Sequence, residues 1–299
     1  MEALGALLLA PLLVGIVRRT QARFAGRRGP PLLQAWRDVW KLLGKGAVYS
    51  RTTSFVFRAA PPIALASLVA ALALVPPFGL VSFPGDLLLL VGLLALARFA
   101  MVLAALDTGS AFEGMGASRE VAYAVFAEPA LLLCLAALAR ATGAWSLAGI
   151  QSGLEPGAWW AGGGALALAS VALFGVLLVE NARIPFDDPN THLELTMVHE
   201  AMVLDHGGPD LALIELGASL KLWLLASLIA FVAVPVRSGH AVLDGAAHLA
   251  GVAAVGVAVG VVESTLARLR LTRVPQLLIG VGVLALLAAA LAPGARGLP

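Results

Sequence analysis

The sequence predicts an all-α polytopic membrane protein: eight transmembrane helices plus an amphipathic interfacial helix in the first internal loop. Three observations carry this. Of 299 residues, 60% are hydrophobic and 13% charged, about half the charge of an ordinary soluble domain. Apolar runs long enough to cross roughly 30 Å of hydrocarbon as helices recur along the chain. Lys and Arg fall on alternate connections between those runs, fifteen against three, the bias expected when the spans are counted correctly. No ten-residue alternating segments of the membrane β-barrel kind occur. The net charge of +2 points to no nucleic-acid partner, because the basic residues serve orientation. Cys134 is the only cysteine and can form no internal disulfide. Residues 1–299 read as a single transmembrane domain.

The spans are expected at 3–17, 60–81, 87–106, 121–138, 159–179, 211–234, 241–262 and 275–291. The first resembles a signal peptide in length, but signal peptides place positive charge before the apolar region. Here Arg18, Arg19 and Arg23 follow it, which predicts a retained span and both termini outside. The internal loop 18–58 carries a second element. In PLLQAWRDVWKLLGKG, Leu32, Leu33, Trp36, Val39, Trp40 and Leu43 share one helical face, with Gln34, Arg37, Asp38, Lys41 and Lys45 opposite. That helix is too polar to span and suits the headgroup boundary, either as an anchor or as the floor of an opening from the lipid. Arg27, Arg28, Gly29 and Pro30 form its turn-like lead-in. Gly256 and Gly260 allow close helix packing.

Arg98, Glu128 and Lys221 each fall within an apolar run, roughly 12–15 Å deep at 1.5 Å per residue. Ionisable groups at that depth face a protein interior or water and find partners. Asp107, Glu113, Glu120, Glu180, Glu215 and Glu263 are expected nearer the internal surface. Together with Glu128 they predict a hydrated acidic path to mid-membrane; static ion pairs of Glu128 with Arg98 or Lys221 are the competing account. His192, His199 and His206 are spaced by seven, about 10.5 Å apart on a continuous helix, too far to share one metal ion.

The densest chemistry lies in the internal loop 180–210, ENARIPFDDPNTHLELTMVHEAMVLDHGGPD, with seven carboxylates and three of the five histidines. Arg183, Asp187, Asp188, Glu194 and Glu200 are its expected docking and coupling residues. Pro185 should end the preceding helix, leaving Arg183 in its last turn and near Asp187. Asp188, Pro189 and Asn190 should turn, and Thr191 with Glu194 reads as the capping box of a second helix.

ENARIPFD resembles the E-x-x-R-x-P-F-D signature of the ND-one family of complex I membrane subunits, which includes the membrane anchors of energy-converting and formate-hydrogenlyase hydrogenases. Arg27, Gly29, Pro30, Gln34, Asp38 and Lys41 resemble that family's first internal loop, and GSAFEGMGASRE with Glu128 its second. Asp188, Asn190 and His192 stand where quinone-reducing members carry leucine and acids. PFDDPNTHLELTMVHEAMVLDHGGPDLALIE looks instead like the hydrogenase 4 component C branch.

The resemblance implies a membrane anchor and proton-coupling subunit of a [NiFe]-hydrogenase-like complex in the inner membrane of a prokaryote. Its implied partners are a hydrogenase-like large subunit, an iron–sulfur small subunit and antiporter-like membrane subunits. Iron–sulfur clusters and any NiFe centre would belong to those partners, with no cofactor on this chain and quinone disfavoured. The quinone-chamber subunit of a true complex I, the NADH–quinone oxidoreductase, is the alternative within the family. A stand-alone carrier would show internal repeats, and a passive anchor would be indifferent to Glu128.

Overall fold

The computed structural model describes residues 2–76, 80–154, 156–187, 198–235, 239–267 and 269–294. Its helices are α1 (Glu2–Phe24), α2 (Gln34–Leu43), α3 (Phe55–Leu72), α4 (Asp86–Asp107), α5 (Ala111–Thr142), α6 (Leu147–Gly153), α7 (Pro156–Glu180), α8 (His199–Met202), α9 (Gly208–Ala233), α10 (Ala241–Thr265) and α11 (Val274–Leu291). Eight of them, α1, α3, α4, α5, α7, α9, α10 and α11, are long and apolar enough to cross a membrane. The protein is a multi-pass, all-helical membrane protein. No strand occurs among the described residues.

Helix α9 is the axis of the bundle. Leu220, Leu224, Ala226, Leu228 and Val232 are all but inaccessible, and α1, α2, α3, α7 and α10 pack around it. The outer helices α5 and α11 carry exposed Val125, Leu132, Leu286 and Leu291, as surfaces meeting lipid or other subunits should. Helix α10 lies close to α1. A Cβ on Gly256 would stand 2.5 Å from Leu13 Cδ1, and one on Gly260 2.6 Å from Thr20 Cβ. The GVAVG run is therefore a packing device, as expected.

Three spans differ clearly from their expected bounds. Helix α1 continues past Val17 to Phe24, so Arg18, Arg19 and Arg23 at the start of the expected internal loop are helical. Apolar residues up to Val81 suggest that the second span ends there, yet α3 runs from Phe55 to Leu72. Ser54 caps it, its Oγ accepting from Val56 N at 3.1 Å, and the Asp107 carboxylate accepts from Ser54 N at 2.7 Å and Phe57 N at 3.3 Å. The expected internal loop 107–120 is mostly helix. Helix α5 starts at Ala111 because Ser110 caps it with Glu113 three residues on, the spacing of a capping box.

The interfacial helix α2 forms where expected. Val39 is buried while Leu33, Trp40 and Leu43 are exposed. Gln34 donates to Asp38 at 2.8 Å, Arg18 pairs with Asp38 at 3.7 Å, and Trp36 Nε1 donates to Leu8 O at 2.9 Å. Arg27, Arg28 and Lys41 are exposed.

Candidate functional site

Helix α4 places Arg98 roughly 18 Å from its Asp86 end and 13 Å from its Asp107 end, with the residue 9% exposed. Such a cation must be paired, and three carboxylates meet it. Arg98 Nη1 donates to Glu128 Oε1, Nη2 donates to Glu180 Oε1, and Nε lies 3.5 Å from Glu120 Oε1. Lys221 Nζ stands 3.6 Å from the other Glu180 oxygen. Helices α4, α5, α7 and α9 thus converge on one cluster of three carboxylates and two cations.

Glu120 and Glu180 are expected near the surface; the structure joins them to the deep set. Glu180 reaches it because α7 ends there. The chain then turns at Asn181 and Ala182, where Ala182 has a positive φ of 47°, and passes beneath the helix ends. The cluster borders a cavity of about 80 Å³, walled on its apolar side by residues such as Leu68, Leu94 and Gly217 and on its polar side by Arg98, Glu180, Asn181 and His199. Glu180 Oε2 and Asn181 Oδ1 are buried there without hydrogen-bond partners. Acceptors of that kind at the polar end of a small cavity suit ordered water.

The other expected path members lie elsewhere. Asp107 serves to cap α3. Glu113 accepts from Asp205 N at 3.2 Å and ties α5 to the loop before α9. Glu215 is exposed on α9 and faces a second cavity of about 90 Å³ walled by α1 and α2. Glu263 binds Gln21 Nε2 at 2.5 Å and Arg183 Nη1 at 3.4 Å. The continuous acidic path therefore reduces to a compact cluster with separate structural carboxylates around it, because α-helical geometry turns these side chains to different faces.

In the expected docking loop, Arg183 does not pair with Asp187; its described carboxylate partner is Glu263 on α10. Helix α7 stops at Glu180, so Arg183 lies in the turn that follows and points toward α10. Asp187 is buried, and its Oδ2 accepts from Val198 N at 3.1 Å and His199 N at 3.2 Å, capping the short helix α8. Glu200 lies half-buried in α8. Asp188, Glu194, the turn at 188–190 and the Thr191 capping box lie outside the described residues. The loop closes on the first internal loop. Phe57 stacks on His206 with centroids 3.9 Å apart and planes at 6°, Tyr49 meets Phe57 edge-on at 6.4 Å, and Arg58 lies over Tyr49 at 4.3 Å. Gly208, with φ of 55°, allows this approach, since a Cβ there would stand 2.7 Å from Gly46 O.

Burial, reinforced by the Lys221 ammonium, holds the His199 imidazole down at about 4, so it is neutral and able to exchange hydrogen bonds at the cavity. Burial also lowers His206, against the opposing pull of Asp210 and Asp205. Tyr49 is raised by burial first and by Asp210 next. Sequence reasoning misses the roles of His199, Asn181 and Tyr49; the only signal for Asn181 is its place beside Glu180 in ENARIPFD. Among the described residues no cluster of His, Cys, Asp or Glu is arranged to hold a metal ion.

Comparison with known proteins places the chain among relatives. Residues 2–293 match the family model described as NADH dehydrogenase. Hydrogenase-4 component C of Escherichia coli (strain K12) is 37% identical over 243 residues, covering 80% of this chain and 75% of the relative. Formate hydrogenlyase subunit 4 of the same organism is 34% identical over 287 residues, covering 92% of each. The fold matches a chain in the structure of the membrane-bound sulfane sulfur reductase, an archaeal respiratory membrane complex. The TM-score is 0.84 at 22% identity, covering 97% of this chain and 96% of that one.

Proposed function

The chain belongs to the NADH dehydrogenase family, and from that premise we propose that it is the membrane anchor and proton-coupling subunit of a hydrogenase-type oxidoreductase. Its relatives are named as one component of hydrogenase-4 and one subunit of formate hydrogenlyase, which supports a role within a multi-subunit enzyme. A hydrogenase-like large subunit and an iron–sulfur small subunit would dock on the loops around α2 and α8. Antiporter-like subunits would lie alongside in the membrane. The clusters and any NiFe centre belong to those partners.

The observation that carries the coupling role is the charge count at Arg98. Three carboxylates, Glu120, Glu128 and Glu180, share two cations, Arg98 and Lys221. With all five ionised, this cluster of described residues holds one uncompensated negative charge, and a single proton removes it. Like charges sharing one site take up protons as a group. Water in the adjoining cavity would deliver or remove that proton. Glu180 ends α7 and begins the docking loop, and Asp187, seven residues on, caps α8. Movement of that loop on docking or reduction of a partner would change how Glu180 divides between Arg98 and Lys221, and with it the proton held.

The test is Glu120→Gln, Glu128→Gln and Glu180→Gln in the intact complex. Each should leave the complex assembled and electron transfer to an artificial acceptor active, while the protons moved per electron fall severalfold. An unchanged ratio in all three makes the cluster a set of static ion pairs and the chain a passive anchor.

A further inference from the structure

On α5, Val121, Val125, Glu128 and Leu132 follow the i, i+4, i+7, i+11 spacing of one helical stripe. Val121 is 46% exposed, Val125 63% and Leu132 36%, and the Glu128 side chain 35%. Glu128 therefore stands at the edge of the α4–α5 seam, on the outer surface of the bundle. Its Oε1 turns inward to Arg98. Its Oε2 takes no partner among the described residues. Arg98 fixes its depth near the middle of α4, where nothing aqueous reaches the outer surface of a bundle set in hydrocarbon.

A second acceptor lies beside it. Pro129 is inside α5 and exposed. It has no N–H, so the carbonyl of Val125 loses its helical donor. Val125 is the most exposed residue of the stripe. One carboxylate oxygen and one main-chain carbonyl deprived of its helical donor thus lie about a turn apart along this exposed stripe, at mid-membrane depth. Acyl chains can satisfy neither, and every polar group in lipid must find a partner.

We propose that this α5 stripe is the seat of a transmembrane helix from another subunit, and that this helix carries a hydrogen-bond donor, a hydroxyl, amide or basic side chain, opposite Glu128. On the neighbouring helix α4, Leu96, Phe99, Leu103 and Leu106 are exposed and extend the apolar outer surface available to an incoming helix. The surface offers acceptors and no donors, so complementarity calls for a donor on the partner. A second copy of this chain laid stripe against stripe would bring two Glu128 carboxylates together and is disfavoured. The proposal rests on the chain's being one subunit of a membrane complex. It adds a covered lateral face through which the proton-holding cluster meets its neighbour.

The experiment places a benzophenone amino acid at Val125 in the intact, purified complex and irradiates it. The expected product is one adduct with a membrane-embedded subunit, its cross-linked peptide mapping within an apolar span that contains a donor residue. Repeating it in Glu128→Leu should lower the adduct yield about threefold or more, the loss expected from one interhelical hydrogen bond in a membrane. Glu128→Gln, which keeps an acceptor, should retain most of it. Adducts with phospholipid alone, with a second copy of this chain, or with a span devoid of donors overturn the proposal. So does a yield indifferent to Glu128→Leu. The readout involves no proton movement, so loss of the coupling reading would leave it intact, and the reverse.

Discussion

Phe57 and His206 lie face to face, 3.9 Å between centroids, and join the start of the second span to the loop before the sixth. Neither nitrogen of His206 has a hydrogen-bond partner, so the stack prefers a neutral ring. His199, held at about 4, shares that preference. A histidine whose pKa is lower folded than unfolded binds fewer protons folded between the two values. Stability is then complete above about 6.5 and falls as pH drops toward 4. The melting temperature of the purified protein should fall between pH about 7.5 and about 5, and His199→Gln with His206→Gln should blunt that fall. An identical pH dependence in the double variant would locate the acid sensitivity elsewhere.

Removing Arg98 should be the most disruptive single change in the bundle. Arg98→Met leaves Glu120, Glu128 and Glu180 facing one another with Lys221 alone, and breaking a buried pair costs about 3–5 kcal/mol. Membrane yield should collapse. Adding Glu120→Gln and Glu180→Gln should restore much of it, measured by fluorescence-detected size exclusion, without restoring coupling.

Asp107 separates a cap from a path. Asp107→Asn weakens the acceptor for Ser54 and Phe57 and should lower the melting temperature only slightly, as loss of one exposed helix cap does. The ratio of protons to electrons should stay as in the parent. Lost coupling at full assembly would return Asp107 to the path.

For the docking loop, Asp187→Ala should remove the acceptor that meets the start of α8, and Arg183→Ala should break the link from this loop to Glu263 on α10. Both strains should insert the membrane part normally but lose the soluble module on solubilisation. Recovery of a complete and fully active complex from both, by affinity pull-down, would remove the loop from the interface.

The Lys and Arg distribution predicts the orientation of the chain in the membrane. In a Cys134→Ser background, single cysteines at Ser50 and at Ser152 in α6 should react with an impermeant maleimide from opposite faces of the membrane. Labelling of both from one face would contradict the arrangement.

The spans are legible because lipid imposes a simple rule of length and apolarity, and Arg98 and Lys221 break that rule conspicuously. The depth of Glu180 is not. A linear reading marks where an apolar run ends, but the tuck of 181–187 under the helix ends depends on Arg183 finding Glu263 and Asp187 finding α8, contacts made with distant parts of the chain. The early start of α5 is readable from Ser110 and Glu113, a capping pattern overshadowed by the charge around it. The end of α3 is readable from Pro76 and Pro77, a helix-breaking pair, but the apolar character of Leu74 to Val81 overshadows it.

Helix α5, with its 32 residues, has a length of roughly 48 Å against roughly 30 Å of hydrocarbon. The excess length is taken up by tilt or by projection, and at its Ala111 end Glu113 grips the loop before α9. One unbroken helix thus ties the contact at Glu113 to the carboxylate of Glu128, with Pro129 the next residue along. The loop before α9 and the Arg98 cluster are therefore two ends of the same rigid element, and neither can be repositioned without the other feeling it through α5.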